Sequence, residues 1–245
     1  MSHPIAGTVA LVTGANRGIG AALVTALLAR GAAKVYATAR RPETLEALIA
    51  GHGDRVVPLT LDVTDPAQVA ALAASAPDVR LLVNNAGVAA IAFQPATDPA
   101  QLPALRAELE TNVIGLHAVT LAMVPVLARS PGATIVNLGS VASFVSFGPL
   151  PTYSASKAAV HSLTQGMRAA LRPQGIAVLG VYPGPVETDM GKVLPVEKTA
   201  PSVVANAILD GIEAGTEEIL PDPLAQQLGA AYFADPKGLE RAQAA

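Results

Sequence analysis

The sequence predicts one α/β domain: a doubly wound, mostly parallel, seven-stranded sheet with helices on both faces. Two observations carry this. Short β-branched apolar runs alternate with longer Ala/Leu-rich stretches along all 245 residues, an order that implies βαβ units with right-handed crossovers. The apolar runs are also continuous rather than alternating, as in strands covered on both faces. A chain of this length fits a single domain, with no internal repeat or low-complexity linker to divide it.

In order, residues 8–12 (TVALV) form the first expected strand and the Ala/Leu-rich residues 18–30 the first helix. A strand at 34–38 (KVYAT) leads to a helix at 42–50, and a strand at 56–61 (VVPLTL) to a helix at 68–74. The short run 81–83 (LLV) is followed by the long helical stretch 104–128. The strand 134–138 (TIVNL) precedes a helix at 153–171, the strand 177–182 (AVLGVY) a helix at 202–214, and 218–220 (EIL) closes the series. The Pro-bearing stretch 183–201 is the longest candidate loop. Loops of that length in compact domains are often functional lids, and this one is expected to cover a substrate.

Composition excludes several function classes. Apolar residues make up 51% and charged residues 14%, enough for a large core and too apolar for a disordered chain. A net charge of -3 and a pI near 5.8 leave no basic footprint for nucleic acid. No cysteine is present, and His3, His52, His117 and His161 are scattered without ligand spacing, so no metal site is expected. Residues 111–128 carry no charge over about the length of a membrane span. They include Asn112, Gly115, His117, Thr120 and Pro125, which suit a helix buried on a sheet, and no membrane association is expected. The first residues lead straight into a strand, without a cationic segment and cleavage site. The expectation is a soluble, cytoplasmic protein.

The first strand runs into Gly14-Ala15-Asn16-Arg17-Gly18-Ile19-Gly20 and then into a helix. The spacing is G-x3-G-x-G rather than G-x-G-x-x-G, but the physics is shared. Glycines let the backbone turn tightly against a pyrophosphate, whose charge meets the positive end of the helix. In NAD-selective folds an acidic residue about 20 positions on bonds the ribose 2′-hydroxyl. Here the sequence reads Thr38-Ala39-Arg40-Arg41 with no acid. Arg17 and Arg40 could instead bind the 2′-phosphate of NADP, whereas Arg41 reads as a solvated surface charge. Charged hydrogen bonds contribute about 1.5–3 kcal/mol each, so two would favour NADP about a hundredfold or more.

Tyr153 and Lys157 stand at i and i+4, on one face of a helix. Ser140 lies thirteen residues upstream of Tyr153, just past a buried strand whose end should border the ligand crevice. Carbonyl reduction needs a proton donor beside the carbonyl oxygen. Tyrosine, with a reference pKa of about 10, needs about 4 kcal/mol of phenolate stabilisation to work near neutrality. Lys157 and a cationic nicotinamide could supply it, with Ser140 positioning the substrate oxygen.

With these residues in view, the chain resembles the short-chain dehydrogenases/reductases of the single-domain type of about 250 residues, over nearly its whole length. Thr13, Gly14, Arg17, Gly18, Ile19 and Gly20 match the family's TGxxxGIG, and Asn84, Asn85, Ala86 and Gly87 its NNAG. The resemblance implies a Rossmann-like fold and a catalytic tetrad of Asn112, Ser140, Tyr153 and Lys157, in which Asn112 holds a water in the relay to the lysine. It further implies NADP(H) contacts from Gly14, Asn16, Arg17, Gly18, Ile19, Gly20, Arg40, Asp62, Val63, Asn85, Ala86 and Gly87. Tyr153 and Lys157 belong to the same cofactor set, as do Pro183, Gly184, Val186 and Thr188, with Asp62 and Val63 at the adenine. The last two would meet the carboxamide, Val186 facing it and Thr188 binding it.

The activity so implied is NADPH-dependent reduction of a small-molecule carbonyl. An oxidative alcohol dehydrogenase and a non-catalytic NADP(H)-binding sensor are the alternatives. The complete tetrad speaks against the sensor, which has no chemical need for it. Pocket candidates are residues 88–93, 141–150 and the segment beyond Thr188, including Ile91, Phe93, Val141, Phe144, Phe147, Leu150 and Met190. With almost no charge among them, they favour an apolar or aromatic carbonyl. The largely uncharged helices at 111–128 and 153–171 point to a homodimer or homotetramer, since family members commonly pair through these two.

Overall fold

The computed structural model describes residues 3–90 and 95–244. The elements run β1 (Val9–Val12), α1 (Gly18–Ala29), β2 (Lys34–Ala39), α2 (Glu46–His52), β3 (Val56–Thr60), α3 (Pro66–Ser75), β4 (Leu81–Asn84) and α4 (Gln101–Glu108). They continue with α5 (Leu116–Leu127), β5 (Thr134–Leu138), α6 (Pro151–Leu171), β6 (Ala177–Val181), α7 (Pro201–Ala214), β7 (Glu218–Ile219), α8 (Pro223–Ala234) and α9 (Pro236–Ala244). The seven strands pair in the order β3-β2-β1-β4-β5-β6-β7. Every pairing is parallel, so the sheet is wholly rather than mostly parallel.

Chain order reverses between β1 and β4. At such a switch point the connections leave in opposite directions and open a crevice at the strands' C-terminal ends. The turn after β1 and the segment after β4 flank that crevice, and their meeting positions the site. One apolar core, with Leu23, Leu27, Ile208 and Leu209, packs α1 and α7 on one sheet face. A second, with Val119, Met123, Val160 and Met167, packs α5 and α6 on the other. A third gathers Val141, Phe144, Tyr182, Ala225, Leu228 and Leu239 under α8 and α9.

The stretch expected as one helix over 104–128 is helical throughout but changes its winding. Leu109–Gly115, between α4 and α5, is π-helical, a form common at functional sites. The combined run Gln101–Leu127 is long and apolar enough to cross a membrane by composition. It contains the fully buried, hydrogen-bonded Asn112 and the buried Glu108, and it packs against α3, β4, β5 and α6. Helices α8 and α9 lie beyond the elements read from sequence. Their signal was present for α8: Asp222 caps it through the Ala225 N–H at 2.9 Å, and Pro223 fills its first position.

Candidate active site

One cleft of about 790 Å³ runs along the crevice. Its lining includes Gly14, Asn16, Arg17, Gly18, Ile19, Arg40, Asp62, Val63, Asn85, Ala86 and Gly87. It also includes Ser140, Tyr153, Lys157, Pro183, Gly184, Val186 and Thr188. Of the site residues expected from sequence, only Gly20 and Asn112 stand behind this surface rather than on it.

The turn after β1 is shaped for close approach. Gly18 has φ +55°, and a Cβ there would lie 2.9 Å from the Thr188 methyl carbon. Gly20 faces inward, where a Cβ would collide with the Gly14 carbonyl and the Asn85 amide. Asn85 locks the turn by donating to the carbonyls of Thr13 at 2.8 Å and Gly14 at 3.0 Å. Thr13 Oγ1 accepts the N–H groups of Asn85 and Ala86, both at 2.9 Å. No side chain caps α1, and no acidic residue stands in its first turn. That end is therefore free to receive an anion.

Asp62 and Arg40 both line the cleft. Hydrogen bonds from the Thr64 N–H and hydroxyl, with a further contribution from Arg40, hold the Asp62 carboxyl below its ordinary range. No ion pair of Arg40 is found among the described residues. Arg17 differs: it is paired with Asp189 of the lid at 2.9 Å. Lys192 binds the same carboxylate at 2.6 Å, and the two cations keep Asp189 ionised below the usual carboxylate range. Arg41, read as a surface charge, is exposed but does border the cleft.

Ser140, Tyr153 and Lys157, the catalytic residues expected from sequence, meet where the end of β5 approaches α6. Pro151 opens α6 at its first position, which puts Tyr153 in the first turn and Lys157 one turn deeper. Ser140, two residues past β5, has its hydroxyl 3.3 Å from the Pro183 carbonyl and accepts the Ala142 N–H at 3.2 Å. Lys157 is buried and donates to the Leu138 carbonyl at 2.6 Å. Its ammonium stands 5.6 Å from the centre of the Tyr153 ring.

The depressed tyrosine pKa expected from sequence does not arise from the protein's own groups. Burial pushes Tyr153 up to about 12; a hydrogen bond with Ser140 opposes this, and the Glu108 charge adds to it. Burial likewise brings Lys157 down to about 8. The physical reason in both cases is desolvation, which disfavours the charged form of each group.

Asn112 acts through its side chain as a clamp. Its Oδ1 accepts the Val88 N–H at 2.8 Å, while Nδ2 donates to the Val88 carbonyl at 2.9 Å and to Ser156 Oγ at 3.0 Å. Ser156 in turn donates to the Tyr153 carbonyl at 2.8 Å. These three bonds fix the side chain, while Oδ1 accepts only one of the two hydrogen bonds an amide oxygen can take. One turn earlier, Glu108 accepts the Ala90 N–H at 2.7 Å. Together they hold the wall that follows β4.

Sequence reasoning missed Glu108, Ser143, Ser156, Asp189 and Asp222. Ser143 joins the site's two halves, receiving the Ser140 N–H at 3.3 Å and donating to the Lys157 carbonyl at 2.9 Å. Among the pocket candidates, Val141, Phe147, Leu150 and Met190 line the cleft. Phe144 does not: it packs against Tyr182 at 4.7 Å and Tyr232 at 4.8 Å, inside the third core. Ile91 and Phe93 lie outside the described residues. The 183–201 segment, expected as a lid, is pinned at its base, with Glu187 donating to the Thr199 carbonyl and Thr199 to that of Pro185, both at 3.0 Å.

Fold and site together define an α/β oxidoreductase with a dinucleotide crevice. The chain belongs to the short-chain dehydrogenase family, whose sequence model matches residues 8–198. It is similar in structure to a short-chain dehydrogenase from Burkholderia cenocepacia J2315 in complex with NADP. That match has 39% identity, 98% coverage of both chains and a TM-score of 0.91. A Burkholderia phymatum short-chain dehydrogenase/reductase in complex with NAD matches at 26% identity, covering 97% of this chain and 96% of the other, with a TM-score of 0.83. In sequence it is 32% identical over 240 residues to the 3-oxoacyl-[acyl-carrier-protein] reductase FabG of Vibrio cholerae, covering 94% of this chain and 91% of the relative. Across curated relatives the chain spans between 65% and 91% of the relative's length.

Proposed function

We propose that this protein is an NADPH-dependent reductase of apolar carbonyl compounds, with Tyr153 as the proton donor. The observation that carries the reading is that Ser140, Tyr153 and Lys157 line the same cleft as the glycine turn and Arg40. A nicotinamide dinucleotide fits that cleft on the chain's own features: the uncapped α1 N-terminus, the turn that admits no extra Cβ, and an unpaired arginine where NAD-selective folds carry an acid. When bound, it supplies the hydride to the carbonyl carbon. Ser140 holds the carbonyl oxygen, and Tyr153 gives that oxygen its hydroxyl proton, leaving a phenolate that is reprotonated from solvent. Lys157 binds the nicotinamide ribose and stabilises the phenolate.

Tyr153 lines the cleft beside Ser140, and its hydrogen bond with Ser140 opposes the rise that burial imposes on its pKa, which supports the pair as the proton-donating and oxygen-binding groups. Arg40 supports NADPH over NADH: it lines the cleft with no ion pair among the described residues. The test is NADPH consumption with a panel of aryl and aliphatic ketones, read beside direct cofactor binding. Turnover supports the reading, and tight NADPH binding with no turnover on any carbonyl supports a sensor instead.

The proposal includes a homo-oligomer. Ile114 and Leu121 are seven residues apart and 54% and 59% exposed, making an apolar stripe on the helix that carries Asn112. The outer face of α6 presents the small residues Ala155, Ala158, Ser162 and Gly166, all exposed. Small side chains let a second copy approach closely, and the stripe gives it apolar surface to bury.

A further inference from the structure

The cleft is divided by charge. Apart from Lys157, its charged lining residues are Arg17, Arg40, Arg41, Asp62 and Asp189, all on the cofactor half or at the Arg17 edge of the lid. Beyond Tyr153 the described walls carry none. They come from three separate parts of the chain: Phe147 and Leu150 after β5, Leu194 and Val196 on the lid, and Leu224 in the first turn of α8. Leu224 is held there by a specific device. The buried Asp222 accepts the Gly184 N–H at 2.8 Å with one oxygen and the Ala225 N–H at 2.9 Å with the other. One carboxylate therefore fixes the start of α8 against the loop that lines the cleft.

This apolar wall does not end inside the protein. Leu224 is 39% exposed and Val196 50% exposed, yet both still line the cleft. A pocket for a short ketone would close over its ligand within one side-chain layer. Here the apolar lining continues out between lid and α8, where leaving it in water is unfavourable and a bound hydrocarbon would cover it.

We infer that the substrate is a carbonyl compound with an extended apolar chain, whose distal part leaves Tyr153 between Leu194 and Val196 of the lid and Leu224 of α8. This rests on the carbonyl-reductase reading above and specifies its substrate class.

The test is a chain-length series on the wild-type protein, from 2-butanone to 2-dodecanone, measuring kcat/KM with NADPH. Binding of the matching alcohols is measured alongside by NADPH fluorescence, which needs no turnover. Each methylene laid on apolar surface should raise kcat/KM and affinity about threefold to fourfold until the rim is passed. In Leu224→Gln and Val196→Thr the ratio of long-chain to short-chain kcat/KM should fall about tenfold. The two variants alter different walls, so a folding defect in one leaves the other to decide. Turnover that is flat with chain length, or alcohol affinities that do not rise, overturns the inference and leaves carbonyl reduction standing. Rising alcohol affinity without turnover on any ketone supports the apolar channel and removes the reductase reading.

Discussion

Lys157 Nζ lies 2.6 Å from the carbonyl oxygen of Leu138, the last residue of β5, and is buried there. The bond ties α6 to the sheet, and burial there sets how the lysine titrates. Its pKa of about 8 lies below the ordinary 10.5, so between those values the folded state binds fewer protons than the unfolded. Stability from this group therefore rises with pH across that window. A 2.5-unit shift corresponds to about 3 kcal/mol. Relative to Lys157→Met, the wild-type protein should gain up to about 3 kcal/mol between pH 7 and pH 10.5 in denaturant titrations. A constant difference would show that burial does not perturb the lysine.

The cofactor half makes unequal demands on its two arginines. Arg40 makes no ion pair among the described residues and meets Asp62 only through its longer-range charge, whereas Arg17 is held by Asp189. Arg40→Ala should weaken NADPH about tenfold or more, by losing a charged hydrogen bond, with little effect on NADH. Asp189→Asn should speed release of both cofactors alike, because it frees the lid from the glycine turn. Isothermal titration and stopped-flow fluorescence give the two readouts. Equal losses for NADPH and NADH in Arg40→Ala would place the phosphate elsewhere.

Asp222 links α8 to the nicotinamide segment through two backbone N–H groups. Asp222→Ala removes a helix cap and leaves the buried Gly184 donor without its partner. The expected cost is about 2–4 kcal/mol, measured by urea denaturation. A loss under 0.5 kcal/mol would mean that water replaces the carboxylate.

A pairing of two copies through α5 and α6 predicts that Leu121→Lys shifts the protein toward monomer in light scattering at micromolar concentration. A wild-type monomer would contradict it.

Much of the site was legible because its parts are short local strings. Gly14 to Gly20, Asn84 to Gly87, Tyr153 to Lys157 and Pro183 to Thr188 each follow a strand or open a helix, and a parallel sheet gathers strand ends on one side. What stayed hidden depends on long-range contact. Asp189 meets Arg17 across 172 residues and Asp222 meets Gly184 across 38, with no local pattern to mark either. Phe144 was misread because a continuous apolar run does not show which side chains face a cleft and which face a core. The titration of Tyr153 in the protein alone was hidden for a related reason: i and i+4 spacing places Lys157 on the same face but does not show how deeply the phenol is buried.

A phenol with its pKa pushed up to about 12 gives different pH trends in the two directions. Reduction should be flat from pH 6 to pH 8, with the acid fully protonated. Oxidation should climb about tenfold per pH unit wherever the phenolate is scarce. Stopped-flow rates for both directions on one ketone–alcohol pair decide this, and a reduction rate that falls across that range would point to a different acid.

The most direct test of the central claim is the turnover of Tyr153→Phe, which keeps the ring in the first turn of α6 and removes only the hydroxyl. With a good ketone, kcat should fall by about 10²–10⁴-fold while the NADPH dissociation constant stays within about twofold. Near-normal turnover in this variant would contradict Tyr153 as the proton donor.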